Sequence, residues 1–178
     1  MERVHFLPVD LRIHRSRVID LNVEFMNWMV TEIKKHFGID LAATSEVPIQ
    51  DYVASMVERL CSAPRGIYYL LELENATIGM GALHQVRKDV GEIKRMYVRP
   101  AQRGKGYGKA LLQLLLEKAK EFGYDSIYLE TGPFMTAAHS LYHSFGFVER
   151  DEYPETEVPP QIRSRWLYME KTLKDTAK

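Results

Sequence analysis

The sequence is poor in cysteine, in excess charge of either sign and in long apolar runs. Cys61 is the only cysteine among 178 residues, so an internal disulfide is excluded. The 24 lysines and arginines balance the 24 aspartates and glutamates, which argues against a broad electrostatic surface for nucleic acid or for an anionic membrane. Any anion-binding site in this protein must therefore be local.

No apolar stretch is long enough to span a bilayer. The longest run, from Ala110 to Leu116, is interrupted by Gln113 and falls far short of the roughly 20 residues that a membrane helix needs. The first residues, MERVHFLPVDLR, contain no apolar signal segment. Together with the single cysteine, these features predict a cytoplasmic protein with no nucleic-acid or membrane partner.

The chain length fits one domain over residues 1–178, and hydrophobic periodicity predicts the order of its elements. Predicted strands cover 4–9, 67–86 (two strands joined at Glu74-Asn75), 90–98, 126–131 and 165–173. One predicted helix contains a periodic apolar run that starts at Leu21, and it ends at Phe37. Three further helices are predicted at 48–62, at about 108–122 and at 135–145. A proline-rich loop is expected at 151–161. Antiparallel strands followed by β-loop-α-β-α-β indicate a mixed α/β sheet.

A segment rich in glycine and in basic residues, RPAQRGKGYGK, links the strand at 90–98 to the next helix. It is not a P-loop, because Ala110 follows Gly108-Lys109 and Arg103 stands where the first glycine belongs. The spacing of its glycines also excludes a GxGxxG dinucleotide motif. What fits is RxxGxG, formed by Arg103, Gly106 and Gly108. Bare amides at a helix N-terminus bind anions, so a pyrophosphate is expected here.

This motif resembles the Q/RxxGxG/A signature of the GNAT superfamily of acyl-CoA N-acyltransferases. The resemblance extends through GEIKRMYVRPAQRGKGYGKALL, SIYLETG and AAHSLYHSFGF, and spans about residues 67–147. It implies the GNAT fold, in which helices flank a mixed β-sheet that is splayed at its centre. It also implies an N-acetyltransferase that moves an acetyl group from acetyl-CoA, its cosubstrate, directly to a primary amine.

The resemblance further implies which residues bind the cofactor. Amides of the glycine loop would hold the pyrophosphate, and the strand before the loop would pair with the pantetheine arm. An amide near Met96 would polarise the thioester carbonyl, and His139 would lie near the cofactor. The implied cofactor-binding residues are Met96, Tyr97, Val98, Arg103, Gly104, Lys105, Gly106, Tyr107, Gly108, Lys109 and His139.

Three residues are implied in catalysis. Tyr142 matches the general acid that protonates the departing CoA thiolate. Glu92 and Glu130 compete as the general base: the first resembles the base of the histone-acetyltransferase branch, the second a glutamate of the ribosomal-protein alanine acetyltransferases. Both are expected to face the cleft, with Glu92 on the strand face of Met96 and Val98 and slightly preferred. Proton removal by a water chain would need neither.

Two features limit the resemblance. Met135 stands where many family members carry an asparagine that helps to hold the cofactor arm. His139 and His143 are spaced as in HExxH, but Ser140 replaces the glutamate, so no metal is expected.

The acceptor stays open among small amines, amino acids, antibiotics and protein N-termini, in other words a small-molecule or peptide amine. Arg163 and Arg165 are expected to pair either with a substrate carboxylate or with Glu155 and Glu157. A homodimer is also left open. The rival function is a non-catalytic acyl-CoA-binding sensor or regulatory module, which Tyr142 and the two cleft glutamates disfavour.

Overall fold

A computed structural model describes residues 4–44 and 46–174; the remaining residues of the predicted domain, 1–3, 45 and 175–178, lie outside it. The strands are β1 (His5–Pro8), β2 (Ile67–Leu73), β3 (Ala76–Arg87), β4 (Val90–Val98), β5 (Ser126–Thr131), β6 (Val148–Arg150) and β7 (Leu167–Thr172). The helices are α1 (Leu11–Phe37), α2 (Leu41–Thr44), α3 (Ile49–Ser62), α4 (Tyr107–Glu121), α5 (Thr136–Ser144) and α6 (Pro160–Arg163).

The strands form one sheet in the order β1-β2-β3-β4-β5-β7-β6. Neighbouring strands are antiparallel except β4 and β5, which are parallel. These two strands pair only from Val90 to Ile93 on the β4 side, although β4 continues to Val98. They part beyond Ile93, which confirms the mixed α/β sheet with a splay at its centre.

A β-bulge in β4 coincides with the splay. Lys94 lies opposite Ala82 of β3, but the next paired residue of β4, Tyr97, lies opposite Met80. Two residues of β4 therefore oppose one residue of β3. Arg95, the first of the two, has a φ of 58°, a left-handed conformation that costs a non-glycine residue about 1–3 kcal/mol. Because a bulge bends its strand, it directs the end of β4 away from β5.

Helices cover both faces of the sheet. On one face, Leu21 of α1 and Val57 of α3 pack with Leu70 of β2. On the other face, leucines of α4 pack with alternate residues of β2 to β5, as expected from the side-chain period of two in a strand. Helix α4 approaches β3 closely, because a Cβ on Gly81 would lie 2.8 Å from the Cδ2 atom of Leu111.

The predicted strands and the four long helices are confirmed within a few residues, with one larger difference. Helix α1 begins ten residues before the periodic run at Leu21, and its N-cap is Asp10, whose side chain accepts a bond from the Arg12 amide at 2.9 Å. The predicted loop at 151–161 is confirmed except that α6 begins at Pro160. The sequence analysis missed α2, α6 and β6, which are too short for a periodic signal.

Candidate active site

Two cavities lie where β4 and β5 part. One, of about 340 Å³, is lined by the glycine loop, the end of β4 and the start of α5; we call it the loop cavity. The other, of about 770 Å³, lies between α1, the splayed strands and residues 157–162; we call it the large cavity. Met96, Met135 and Tyr142 line both cavities, so the two spaces meet at these side chains.

The glycine loop presents bare backbone to the loop cavity. Gly104 and Gly106 have φ values of 77° and 83°, which glycine adopts without steric cost. Gly106 is the N-cap of α4 and provides no side-chain capping bond, so the first amides of the helix point outward without a side-chain acceptor. This arrangement, with the positive end of the helix dipole, suits a phosphate group.

Arg103 lines the loop cavity. Its Nε donates to the carbonyl of Val98 at 2.9 Å, and its guanidinium lies 5.6 Å from the ring centre of Trp28 and 5.7 Å from that of Tyr97. The predicted cofactor-binding residues that line this cavity are Met96, Tyr97, Val98, Arg103, Gly104, Gly106, Tyr107 and Gly108.

Three residues predicted to bind the cofactor do not line the loop cavity. Lys105 donates through Nζ to the side chain of Gln102 at 2.7 Å, and Lys109 is exposed on the first turn of α4. The Nε2 atom of His139 lies 2.9 Å from the carbonyl oxygen of Gly132. This position lends no support to a cofactor contact by His139, because its ring holds the connection between β5 and α5.

The sequence analysis missed one wall of the loop cavity. Trp28 of α1 and Phe134 before α5 both line it, and their rings meet edge to face with centres 6.1 Å apart. The helical periodicity of α1 included Trp28, but no sequence signal linked it to a loop some 75 residues later. Met135, noted as a departure from the family pattern, lies at the junction of the cavities.

Tyr142 lies on α5 where the cavities meet. It is buried, packs against Phe147 with ring centres 5.9 Å apart, and lines both spaces. Burial raises the pKa of Tyr142 to about 12, since the phenolate would lose its hydration. The hydroxyl is therefore protonated at neutral pH, the form that an acid catalyst needs.

Lys94 lines the large cavity, and its buried ammonium group lies among three carboxylates. Lys94 Nζ is 2.6 Å from Glu157 Oε2, 3.4 Å from Glu92 Oε2 and 3.8 Å from Glu130 Oε2. Burial by itself would lower the pKa of Lys94, but the three carboxylates outweigh it and the pKa is raised. Lys94 is therefore charged at neutral pH.

Glu130 and Glu157 both line the large cavity but have opposite pKa shifts. Burial raises the pKa of Glu130, although the charge of Lys94 and a hydrogen bond from Thr156 Oγ1 oppose the increase. Burial also acts to raise the pKa of Glu157, but Lys94 and Arg59 outweigh it and lower that pKa to about 2. Glu157 is thus held ionised, whereas Glu130 takes up a proton more readily.

Glu92 does not occupy the position expected for it. Its side chain is 1% exposed, accepts a hydrogen bond from Tyr153 OH at 2.6 Å and lies 2.9 Å from His84 Nε2. It lines neither cavity, because it lies opposite Tyr128 in the part of β4 that still pairs with β5. The expectation that Glu92 faces the cleft is therefore wrong.

The predicted shared face is wrong as well. Glu92 contacts Tyr153 in the core on the α1 side, whereas Met96 and Val98 pack with the core on the α4 side. A strict alternation of side chains would place these three residues on one face. The bulge at Arg95 adds one residue to β4 and reverses the alternation beyond it.

The expected pairing of Arg163 and Arg165 with Glu155 and Glu157 does not occur in the structure, where Arg163 Nη1 instead lies 3.4 Å from Glu152 Oε1. Arg163 donates through Nε to the carbonyl of Val158 at 3.0 Å, and the guanidinium of Arg165 lies 5.3 Å from the ring centre of Phe37. Neither arginine lines the loop cavity or the large cavity. The predicted glutamate partners bind other residues: Glu155 pairs with Arg87, and Glu157 with Arg59 and Lys94.

Cys61 lines neither cavity, and burial raises the pKa of its thiol to about 11, so it is not positioned as a nucleophile for these spaces.

Within residues 4–44 and 46–174, no group of three or more histidine, cysteine, aspartate or glutamate side chains could hold a metal ion. In the same described ranges, every helix is too short or too polar to cross a membrane.

Comparison with known proteins identifies a family. The family model for the acetyltransferase (GNAT) family matches residues 31–147. The uncharacterized N-acetyltransferase YjgM of Escherichia coli K12 is 30% identical over 126 residues, which cover 69% of this chain and 74% of that protein.

Solved structures share the fold over nearly the whole chain. A GNAT-family acetyltransferase of Staphylococcus aureus Mu50 has a TM-score of 0.70 at 19% identity, covering 97% of this chain and 100% of its own. The PaiA N-acetyltransferase of Thermoplasma acidophilum, solved in complex with coenzyme A, has a TM-score of 0.68 at 18% identity, covering 96% and 99%. The family match and these relatives together show that this chain belongs to the acetyltransferase (GNAT) family, the acetyl-CoA-dependent acyltransferases.

Proposed function

We propose that this acyltransferase moves the acetyl group of acetyl-CoA directly to the primary amine of an acceptor bound in the large cavity. The observation that carries the proposal is the meeting of two separate cavities at Met96, Met135 and Tyr142. A donor in one space and an acceptor in the other would bring their reacting groups together at this junction.

The loop cavity fits acetyl-CoA, which supplies an activated acetyl thioester. The uncapped N-terminus of α4 and the left-handed glycines at 104 and 106 offer amides to the pyrophosphate. Beyond Ile93, the edge of β4 that faces β5 is free of strand pairing, so its backbone would pair with the amide-rich pantetheine arm. The charge of Arg103 would add to the attraction.

Glu130 is the better-placed base in this proposal. It lines the large cavity, whereas Glu92 is enclosed by Tyr153 and His84. A carboxylate with a raised pKa is a stronger base, and Glu130 would take the proton of the acceptor ammonium directly or through one water. Tyr142 would then donate its proton to the departing thiolate of CoA.

The rival function, a sensor that binds acyl-CoA without reaction, would use the loop cavity alone. The large cavity lined by Glu130, and a buried protonated tyrosine between the two spaces, favour an enzyme.

The discriminating experiment measures CoA binding by calorimetry and thiol release from acetyl-CoA with a panel of amines. We expect wild-type protein to bind CoA and to release thiol only when an amine is present. Tyr142→Phe should retain CoA affinity and lose about 10²-fold in turnover. Tyr124→Phe is the matched control. It also removes one tyrosine hydroxyl, which donates to the carbonyl of Arg65, but Tyr124 lines neither cavity. CoA binding without release for any amine would instead identify a sensor.

A further inference from the structure

Two cations line the large cavity, and they differ in their partners. Lys94 is paired with three carboxylates. Arg95 takes part in no ion pair among the described residues, and its buried Nε atom has no hydrogen-bond acceptor there. Its Nη1 reaches only the sulfur of Met26 at 3.1 Å, and its guanidinium lies 6.0 Å from the ring centre of Phe25. Thioether sulfur is a weak acceptor, so the fork of Arg95 lacks a strong one.

The backbone holds Arg95 in an unfavourable conformation at this position. Its φ of 58° places it in the left-handed region, as the first residue of the β4 bulge. Strained backbone and unpaired buried donors each cost stability, and strained residues cluster at ligand-binding sites. Arg95 is partly exposed and lines the large cavity, so an anionic ligand group there would give its guanidinium a strong acceptor, and guanidinium groups bind carboxylates in a bidentate manner.

Arg95 is also close to the reaction junction. It precedes Met96, whose side chain lines both cavities, and consecutive Cα atoms are only about 3.8 Å apart. Glu130 and Glu157 line the same large cavity. A ligand that carries both an amine and a nearby carboxylate would therefore meet, within one space, carboxylates and a guanidinium that has no carboxylate partner among the described residues.

Most of the remaining side chains that line the large cavity are apolar, although Asn27, Glu46, Thr131 and Gln161 also line it. Phe25, Met29 and Ile33 of α1 face it from one side, and Ile162 and Trp166 from the other. An acceptor with a small or charged side chain would leave this apolar surface exposed to water, whereas an acceptor with a large apolar side chain would bury it.

We infer that the acceptor is an α-amino acid with a large apolar side chain, bound with its carboxylate on Arg95 and its amine toward Glu130. This inference rests on the proposed function, because it names the acceptor of the same cavity. The inferred acceptor is a free amino acid. A peptide N-terminus and a decarboxylated amine are not expected to bind equally well, because neither has a carboxylate next to its amine.

The test compares L-phenylalanine, L-phenylalaninamide and phenethylamine as acceptors for the wild-type protein and for Arg95→Met. Their amines differ in basicity, but this difference cancels when the ratio of kcat/KM between two acceptors is compared across variants. We expect the ratio of phenylalanine to phenethylamine to fall by about 30-fold or more in Arg95→Met. Arg95→Lys should show an intermediate loss, since it keeps the charge and loses the fork.

Arg12→Met is the control for loss of one positive charge, because Arg12 is exposed, pairs with Asp10 and lines neither cavity; its ratio should equal that of the wild type. A second measurement uses only wild-type protein. Here 3-phenylpropionate, which has the carboxylate and ring but no amine, should compete with the acceptor better than 3-phenylpropanamide does.

An unchanged ratio in folded Arg95→Met, or equal inhibition by the acid and the amide, would overturn the inference. Acetylation of other amines but of no amino acid would overturn it too, while the proposed function would stand. If no amine reacted although calorimetry showed CoA binding, the proposed function itself would fail.

Discussion

The ionisation state of Glu130 determines whether it can serve as a base. Burial raises its pKa, and Lys94, 3.8 Å away, restrains the increase. A carboxyl group accepts a proton only when ionised, so turnover should increase as pH rises through this raised pKa. Glu92 Oε2 lies 3.4 Å from Lys94 Nζ, and its carboxylate also contacts Tyr153 and His84. Its expected contribution is to the stability of the core.

We predict that Glu130→Gln lowers turnover by about 10²-fold at neutral pH and removes the acidic limb of the kcat profile. Part of the activity should return at high pH, where more of the acceptor is already deprotonated. Glu92→Gln should keep the limb and lose about 1–3 kcal/mol in the free energy of unfolding, because it weakens a buried charged hydrogen bond. The measurements are pH–rate profiles and denaturant unfolding.

The opposite pattern, with the limb intact in Glu130→Gln and lost in Glu92→Gln, would reassign the base to Glu92. If both variants retained the acidic limb of the kcat profile, a chain of water molecules would be the route by which the acceptor loses its proton.

Among the elements, the glycine loop and α4 together make up the proposed site for the pyrophosphate. Gly106 ends the loop and caps the helix, and its φ of 83° is the feature that requires glycine. A Cβ at this position would meet no protein atom within 4 Å. Substitution therefore acts through backbone strain and through the space in which a phosphate would lie, and not through a clash with the protein.

Gly106→Ala and Gly123→Ala form a matched pair. Gly123 follows the other end of α4, has a φ of 75° and is equally open, so each variant should lose about 1–2 kcal/mol in the free energy of unfolding. Only Gly106 lines the loop cavity, so only Gly106→Ala should weaken CoA binding, by about tenfold or more, in calorimetry. Equal CoA affinities in the two folded variants would contradict the assignment of the loop to the pyrophosphate.

At the scale of the whole molecule, α1 connects the two cavities. Trp28 lines the loop cavity, whereas Phe25, Met29 and Ile33 line the large one. Separate spaces that meet at Tyr142 allow both substrates to be bound at once, so direct transfer needs no covalent acyl-enzyme. Cys61 lies outside both cavities with a raised pKa, which agrees with such a mechanism.

We predict sequential kinetics from this arrangement. Double-reciprocal plots for acetyl-CoA at several acceptor concentrations should intersect, and CoA should compete with acetyl-CoA but not with the acceptor. Mixing enzyme and acetyl-CoA without acceptor should give no burst of thiol. Parallel lines with such a burst would show an acyl-enzyme and contradict direct transfer.

Local sequence patterns were sufficient to predict the long elements and the glycine loop. These features rest on local patterns: apolar residues repeat along α1 and α3, Glu74-Asn75 turns the hairpin, and RxxGxG stands directly before a leucine-rich helix. A local pattern needs no knowledge of distant residues, and this explains why the family resemblance and the confirmed fold agree.

Which charged groups reach the cavities depends on contacts between elements that are far apart in the sequence. The bulge at Arg95 could not be predicted from the sequence of β4. It reverses the side-chain alternation from which Glu92 and Met96 were expected to share one face of the strand. Glu157 lines the large cavity and Trp28 lines the loop cavity, although both are distant in sequence from β4 and the glycine loop. Packing between distant elements, which fixes where strands part and which carboxylates lie near Lys94, has no counterpart in a local pattern.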